Sequence, residues 1–332
     1  MAGEALAPEW EVWAAENLLR GVDRAEVREA LVAQGVSRDL AERALGAITA
    51  SPAFVAGRAI ARAQRRGEMI TRLLAEHNRT ATRPTEVPRV AGLRADEFFD
   101  RYYAVCAPVV LTDLARRWPA VGKWSPAWLK ARFGDVEVSA VIGREGDPDY
   151  DRHTHALTRP IALGDFVDRV LAAGESNDLY LVANNRNIER DALQPLWDDV
   201  TWDPDLLDPA RRAGAAALWF GPAGTVTPLH HDTANIVLCQ VYGEKRVRLA
   251  APWEPSLQDT LRGVYSTADP ERPDASTRDA LFREAVIGPG DALFIPAGWW
   301  HHVRALSVSI SVGLTNFARD NLFNWFRPGA VG

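Results

Sequence analysis

Two short segments of strand-turn-strand character limit what this chain can become more than any other feature. Residues 218–252 read LWFGPAGTVTPLHHDTANIVLCQVYGEKRVRLAAP and carry His230 and Asp232; residues 288–303 read GPGDALFIPAGWWHHV and carry His301. Side chains two apart on a strand face the same way, so His230 and Asp232 can grip one ion while His231 points aside. A distant strand must then bring His301. Two imidazoles and one carboxylate leave about three positions of an octahedral ion open, a set that suits Fe(II). Zinc is the alternative metal, but the helical H-E-x-x-H spacing of many catalytic zinc sites is absent. Four of the seven histidines lie in these two stretches, which argues against incidental histidines.

Taken together, TPLHHD, QVYGEKRVRL, PGDALFIPAGWWHHV and SVSISV resemble the JmjC/cupin-like 2-oxoglutarate-dependent oxygenases, in particular the branch that hydroxylates peptides and proteins. The resemblance runs over residues 90–328. It implies iron held by His230, Asp232 and His301, with Thr227 and Lys245 holding the distal carboxylate of 2-oxoglutarate. Tyr180, in DLYLVANN, is a further candidate for that carboxylate. The family often has an asparagine four residues after the metal aspartate; here that place is Ile236, and Asn235 comes one earlier. A one-residue slip on a strand reverses the facing, so Asn235 is the nearest candidate but starts on the wrong side. Gly313 stands where many relatives have a second asparagine, and Asn316 is the nearby substitute. The implied cofactor and co-substrates are Fe(II), 2-oxoglutarate and O2. The implied reaction is hydroxylation of an amino-acid side chain in a peptide or protein. Hydroxylation of a free amino acid or other small molecule is the alternative, as is a non-catalytic metal-binding regulatory module. Lysine demethylation is less favoured, because no chromatin-reading module accompanies the core.

The residues around Lys245 support the same site independently. Residues 235–241 are apolar and rich in β-branched side chains, Tyr242-Gly243-Glu244 reads as a turn, and Lys245-Arg-Val-Arg-Leu249 alternates. Lys245 therefore shares the face of Val247 and Leu249. A lysine on an apolar face must find an anion or lose its charge, unless it reaches water from the strand end.

At 332 residues and 47% hydrophobic content the chain can bury a full core beside a smaller domain. A net charge of -6 argues against a general nucleic-acid binder. No apolar run of membrane-spanning length and no secretory leader is present, so no membrane partner is expected. Cys106 and Cys239 both sit in apolar stretches and read as buried free thiols of a reducing cytoplasm.

Residues 1–85 read as a helical domain. Helices are expected over residues 10–19, 24–33, 38–48 and 52–77, followed by a proline-broken linker over 79–88. This piece suits a homodimerisation element, a cap over the oxygenase mouth or a holder for a peptide. Residues 86–332 read as the oxygenase domain, mainly β: a double-stranded β-helix of jelly-roll or cupin type with helical decorations. Within it, residues 143–160 read as a lid or substrate loop carrying His153 and His155. Residues 179–183 read as a strand ending in Asn184, a candidate substrate contact. Trp219 is placed to wall the pocket. Trp299 and His301 should share one strand face, Trp300 and His302 the other, so only one of the paired histidines is a ligand. Residues 304–312 read as a final alternating strand, and residues 316–325 as closing the barrel edge.

Overall fold

The structure is a computed structural model that describes residues 5–82, 85–257, 263–275 and 277–321. The chain divides into two compact units between Glu76 and His77, inside a helix rather than at the linker that follows it.

The first unit contains helices α1 (Pro8–Arg20), α2 (Arg24–Ala33), α3 (Arg38–Ala50) and most of α4 (Pro52–Arg79). Local chemistry sets their ends. Gly21, at φ +92°, closes α1. Asp23 caps α2 by accepting from the Ala25 amide, and Ser37 caps α3 by accepting from the Leu40 amide. Ala14, Val27, Leu31, Ala41 and Leu45 form the small core between the first three helices. No single helix among the described residues is long and apolar enough to cross a membrane.

The second unit is built on strands β1 (Arg89–Val90), β2 (Val109–Leu111), β3 (Glu137–Ile142), β4 (Thr158–Ala162), β5 (Leu179–Tyr180), β6 (Ala216–Gly221), β7 (Val226–His230), β8 (Ile236–Tyr242), β9 (Lys245–Ala250), β10 (Phe282–Ile287), β11 (Ala292–Ile295), β12 (Trp300–Ala305) and β13 (Ser309–Leu314). Two sheets make the barrel: β1-β2-β11-β8-β13-β6 and β10-β9-β12-β7; a third, β4-β3-β5, flanks it. The barrel interior is filled by Val247, Leu249, Ile287 and Val303 from the smaller sheet and Val110, Leu238, Leu293 and Ile295 from the larger. The other face of the larger sheet packs under helices through Phe98, Phe166, Trp124 and their neighbours. This is the expected double-stranded β-helix.

Several boundaries differ from the sequence reading. The stretch 304–312 is two strands, because the chain crosses from one sheet to the other at residues 306–308. Gly243 explains the crossing point. It has φ +70°, and a Cβ there would lie 2.0 Å from the Val308 carbonyl oxygen, so the β8–β9 turn and the 306–308 turn touch backbone to backbone. Glu244 N also donates to Ser307 Oγ, and Leu306 N to the Glu244 carbonyl. The expected loop over 143–160 ends in β4, whose Pro160 is tolerated because β4 is an edge strand. Strand β10 was not read from the sequence; of its side chains only Ala285 and Ile287 are buried. Cys239 is buried as expected, but Cys106 is exposed, since it occupies a left-handed turn (φ +51°) after the helix at 99–103. Of the expected edge closure over 316–325, residues 322–325 lie outside the described residues. Phe317 joins the core, and a bridge pairs it with Leu207.

Candidate functional site

Strand register brings the two histidines together. On the antiparallel pair β7·β12, His230 lies directly opposite His301, and the register shifts by a bulge between His301 and Val303. The imidazole centroids are 4.1 Å apart. Strand β7 ends at His230, so Asp232 reaches the site from the turn beyond; that turn is fixed by Gly298 N donating to the Asp232 carbonyl at 2.8 Å. His301 Nε2 and Asp232 Oδ2 are 3.7 Å apart, and ligand atoms of all three residues lie within 4.8 Å of one another. Adjacent ligands about 2.1 Å from an ion would sit roughly 3.0 Å apart, so the triad needs only a modest contraction to close on one.

The hydrogen bonds set the tautomers. His230 Nδ1 lies 2.8 Å from the Pro228 carbonyl oxygen and His301 Nδ1 2.9 Å from that of Trp299. A carbonyl only accepts, so each Nδ1 carries the proton and each Nε2 lone pair is free for a metal. Burial, and then the neighbouring His230, push His301 down to about 4, which keeps it in the neutral, ligating form. These features fit a metal. The other histidines do not join: His231 stands edge-on to Trp300 at 4.8 Å, and His302 is buried with Glu271 and Asp269 acting on it. His153 pairs with Asp147 at 2.7 Å, and His155 is exposed beside an adjoining hollow.

The triad opens into a cavity of about 680 Å³ lined also by Thr227, Lys245, Tyr180, Trp219 and Asn184. Lys245 is 1% exposed. Its Nζ donates to Tyr180 Oη at 3.1 Å, and among the described residues no carboxylate lies within ion-pair distance of it. A buried ammonium with one neutral partner is incompletely solvated, and a ligand carboxylate would complete it. Thr227 sits opposite Val303 on the same wall.

Two sequence expectations place residues elsewhere. Asn235 is buried outside the cavity: its Nδ2 donates to Asn321 Oδ1 at 2.9 Å and its Oδ1 accepts from Ala297 N at 2.8 Å. The strand facing explains it, since Ile236, one residue on, is the side chain lining the cavity. Asn316 likewise donates to the Asp208 carbonyl at 2.8 Å and does not reach the cavity. At Gly313 the room an asparagine would fill is taken by Trp219. An added Cβ would lie 2.4 Å from the indole Cζ3 and 2.8 Å from Ile236 Cδ1. Gly313→Ala is therefore expected to lose about 1–3 kcal/mol by overpacking, and to change the Trp219 environment; a urea midpoint and the tryptophan emission spectrum check both.

Other lining residues carried no motif. Arg144 and Asp151 come from the 143–157 segment and Glu189 from a short helical turn. Tyr265, its ring 5.8 Å from that of His230, comes from the long excursion after β9, where 264–266 pair with the end of β7. Their only sequence signal was that polar loops next to strands often border sites. A second hollow of about 790 Å³ shares Asp151, Thr154, Asn184, Val264 and Tyr265 with the metal cavity, and adds Arg152, His155 and Asn185.

A double-stranded β-helix with His230 and His301 on facing strands, Asp232 on the turn beside them and a buried lysine in the same cavity defines the class as a cupin-type candidate metalloprotein. The chain belongs to the JmjC/cupin-like family, and the cupin-like domain profile matches residues 95–318. It is 29% identical over 240 residues to Lysine-specific demethylase 8 of Xenopus tropicalis, covering 69% of this chain and 52% of that protein. It is 30% identical over 241 residues to Lysine-specific demethylase JMJ30 of Arabidopsis thaliana, covering 68% and 53%. Bifunctional peptidase and (3S)-lysyl hydroxylase JMJD7 of Homo sapiens is 28% identical over 243 residues, covering 62% and 75%. The chain thus spans about half the length of the two demethylase-named relatives.

Proposed function

We propose that this protein is an Fe(II)- and 2-oxoglutarate-dependent oxygenase that hydroxylates an amino-acid side chain within a peptide or protein. The observation that carries the reading is the pairing, in one cavity, of an open three-ligand site with a buried lysine that has no carboxylate partner among the described residues. Bound Fe(II) with 2-oxoglutarate would supply the oxidising chemistry: co-substrate and O2 give succinate and carbon dioxide as one oxygen atom enters a substrate C–H bond. His230, Asp232 and His301 would hold the ion, with both Nδ1 protons anchored on backbone carbonyls. Lys245 and Tyr180, with Thr227 beside them, would receive the far carboxylate. Trp219, Ile236 and Ile295 wall the cavity with apolar surface and limit water at the reacting end.

A peptide substrate is favoured over a free small molecule by the second hollow that joins the cavity through five shared residues. Asn184, which lines both, is the residue we assign to bonding a peptide amide. The test is oxygen-dependent succinate formation by the Fe(II)-loaded full chain, alone and with a peptide library. Stimulation by a peptide whose mass rises by one oxygen supports the reading. Formaldehyde release from a methylated lysine peptide would instead make the protein a demethylase, the activity named in two relatives. No succinate under any condition would leave a non-catalytic metal module.

We further propose a cytoplasmic protein, a reading supported by two free thiols. A homodimer through the helical unit is proposed on the exposed apolar residues Met69, Ile70, Leu73 and Leu74 of α4, three and four apart on one helix. Met69→Glu with Leu73→Glu should then shift the sedimentation of wild type to that of a monomer, and a wild type already monomeric would refute the dimer.

A further inference from the structure

We infer that Arg144 is a positioning residue of the co-substrate end, whose buried guanidinium holds the Tyr180 ring, and through it the Lys245 ammonium, ready for a dicarboxylate. This rests on the proposed function above. Arg144 follows Gly143, whose left-handed backbone (φ +86°) turns the chain out of β3 and back over the barrel. The side chain is only 3% exposed. One terminal nitrogen donates to Asn177 Oδ1 at 2.8 Å and to the Asn177 carbonyl at 3.3 Å; the other donates to the Val226 carbonyl at 2.6 Å. Asn177 Oδ1 also accepts from Val226 N at 2.8 Å. The guanidinium therefore ties the segment leading into β5 to the start of β7, one residue before Thr227.

Its flat face does the positioning. The guanidinium carbon lies 4.3 Å from the Tyr150 ring centre and 5.2 Å from that of Tyr180. Tyr180 is confined elsewhere by Gly221, where an added Cβ would come within 2.7 Å of the ring, and its hydroxyl meets Lys245 Nζ. So the ring has little freedom once Arg144 is in place. Among the described residues Arg144, like Lys245, has no carboxylate within ion-pair distance. An arginine kept merely for packing normally reaches water or an acid; this one, with burial working against its charge, does neither. Two cations at one tyrosine, neither with a carboxylate at ion-pair distance among the described residues, make a subsite suited to an anion, and a planar, weakly hydrated guanidinium can stack where an ammonium cannot.

Calorimetric titration of 2-oxoglutarate and of succinate into Mn(II)-loaded, oxygen-free full-length protein tests this in wild type, Arg144→Met, Arg144→Lys and Lys245→Met, with melting curves alongside. Arg144→Met should bind both dicarboxylates about ten-fold more weakly, with Mn(II) affinity unchanged and KM for 2-oxoglutarate rising while kcat stays within about three-fold. Arg144→Lys, which restores charge but not the plane, should recover only part of the loss. Wild-type affinity in Arg144→Met would overturn the inference. Should Arg144→Met fail to fold, Tyr150→Leu removes the outer half of the stack; it should weaken binding about three-fold, and unchanged binding there would overturn the inference equally. The control separates two failures. If Lys245→Met weakens binding and Arg144→Met does not, only the role of Arg144 falls. If neither does, the co-substrate reading falls with it.

Discussion

Asp232→Ala is expected to abolish succinate formation by the Fe(II)-loaded protein, a loss of roughly a thousand-fold or more, while leaving the fold intact. The size follows from the loss of the carboxylate of the His230, Asp232 and His301 cluster: a bound metal contributes several kcal/mol to such chemistry, and each 1.4 kcal/mol is about ten-fold. The fold should survive because Asp232 reaches the site from a turn, not from a sheet strand. What its main chain does, accepting the bond from Gly298 N, is unaffected by the substitution. Metal titration and turnover of 2-oxoglutarate, with and without peptide, measure both halves. Retention of iron-dependent turnover in this variant would refute the metal assignment.

Lys245→Met is expected to raise the 2-oxoglutarate requirement by about a hundred-fold or more, since removing one partner of a buried charge pair costs roughly 3–5 kcal/mol. The same change should act in the opposite direction on the ligand-free protein. Lys245 is buried with one neutral hydrogen-bond partner, so its charge is poorly compensated until an anion arrives. Methionine of similar length removes that burden, and the ligand-free variant should gain about 1–3 kcal/mol in stability. Wild type, by contrast, should be stabilised by added 2-oxoglutarate and the variant hardly at all. Denaturation midpoints with and without the dicarboxylate decide it; a ligand-free variant less stable than wild type would contradict this account of Lys245.

Much of the site was legible because it sits on strands with strict alternation. Lys245 and His301 face the cavity as their strand positions dictate, whereas Thr227 and His230, three apart on β7, share it only because the bulge against β12 adds a residue between them; Thr227 was read from the resemblance and not from alternation. Tyr180, at the end of the short β5, is there as well. Asn235 failed for the reason alternation works: one residue's displacement puts a side chain on the other face, and Asn321 then holds it there. Arg144, Asp151 and Tyr265 were not legible, because turns have no period and their side chains reach the cavity only once distant segments pack. The division of 304–312 between two sheets was hidden for a related cause. Alternation continues through the crossing at 306–308, and only the close contact of Gly243 with Val308 marks it.

The pairing of His230 with His301 across β7·β12 makes the metal centre a gauge of assembly. Were β12 to slide by a single residue, Trp300 or His302 would be presented inward, and neither would stand opposite His230 with its Nδ1 proton tied to the Trp299 carbonyl. A chain that closed its barrel in the wrong alignment would therefore bury aromatic surface almost as well and yet lose its ion. Metal affinity in this protein thus reports correct strand alignment, which hydrophobic burial alone cannot distinguish.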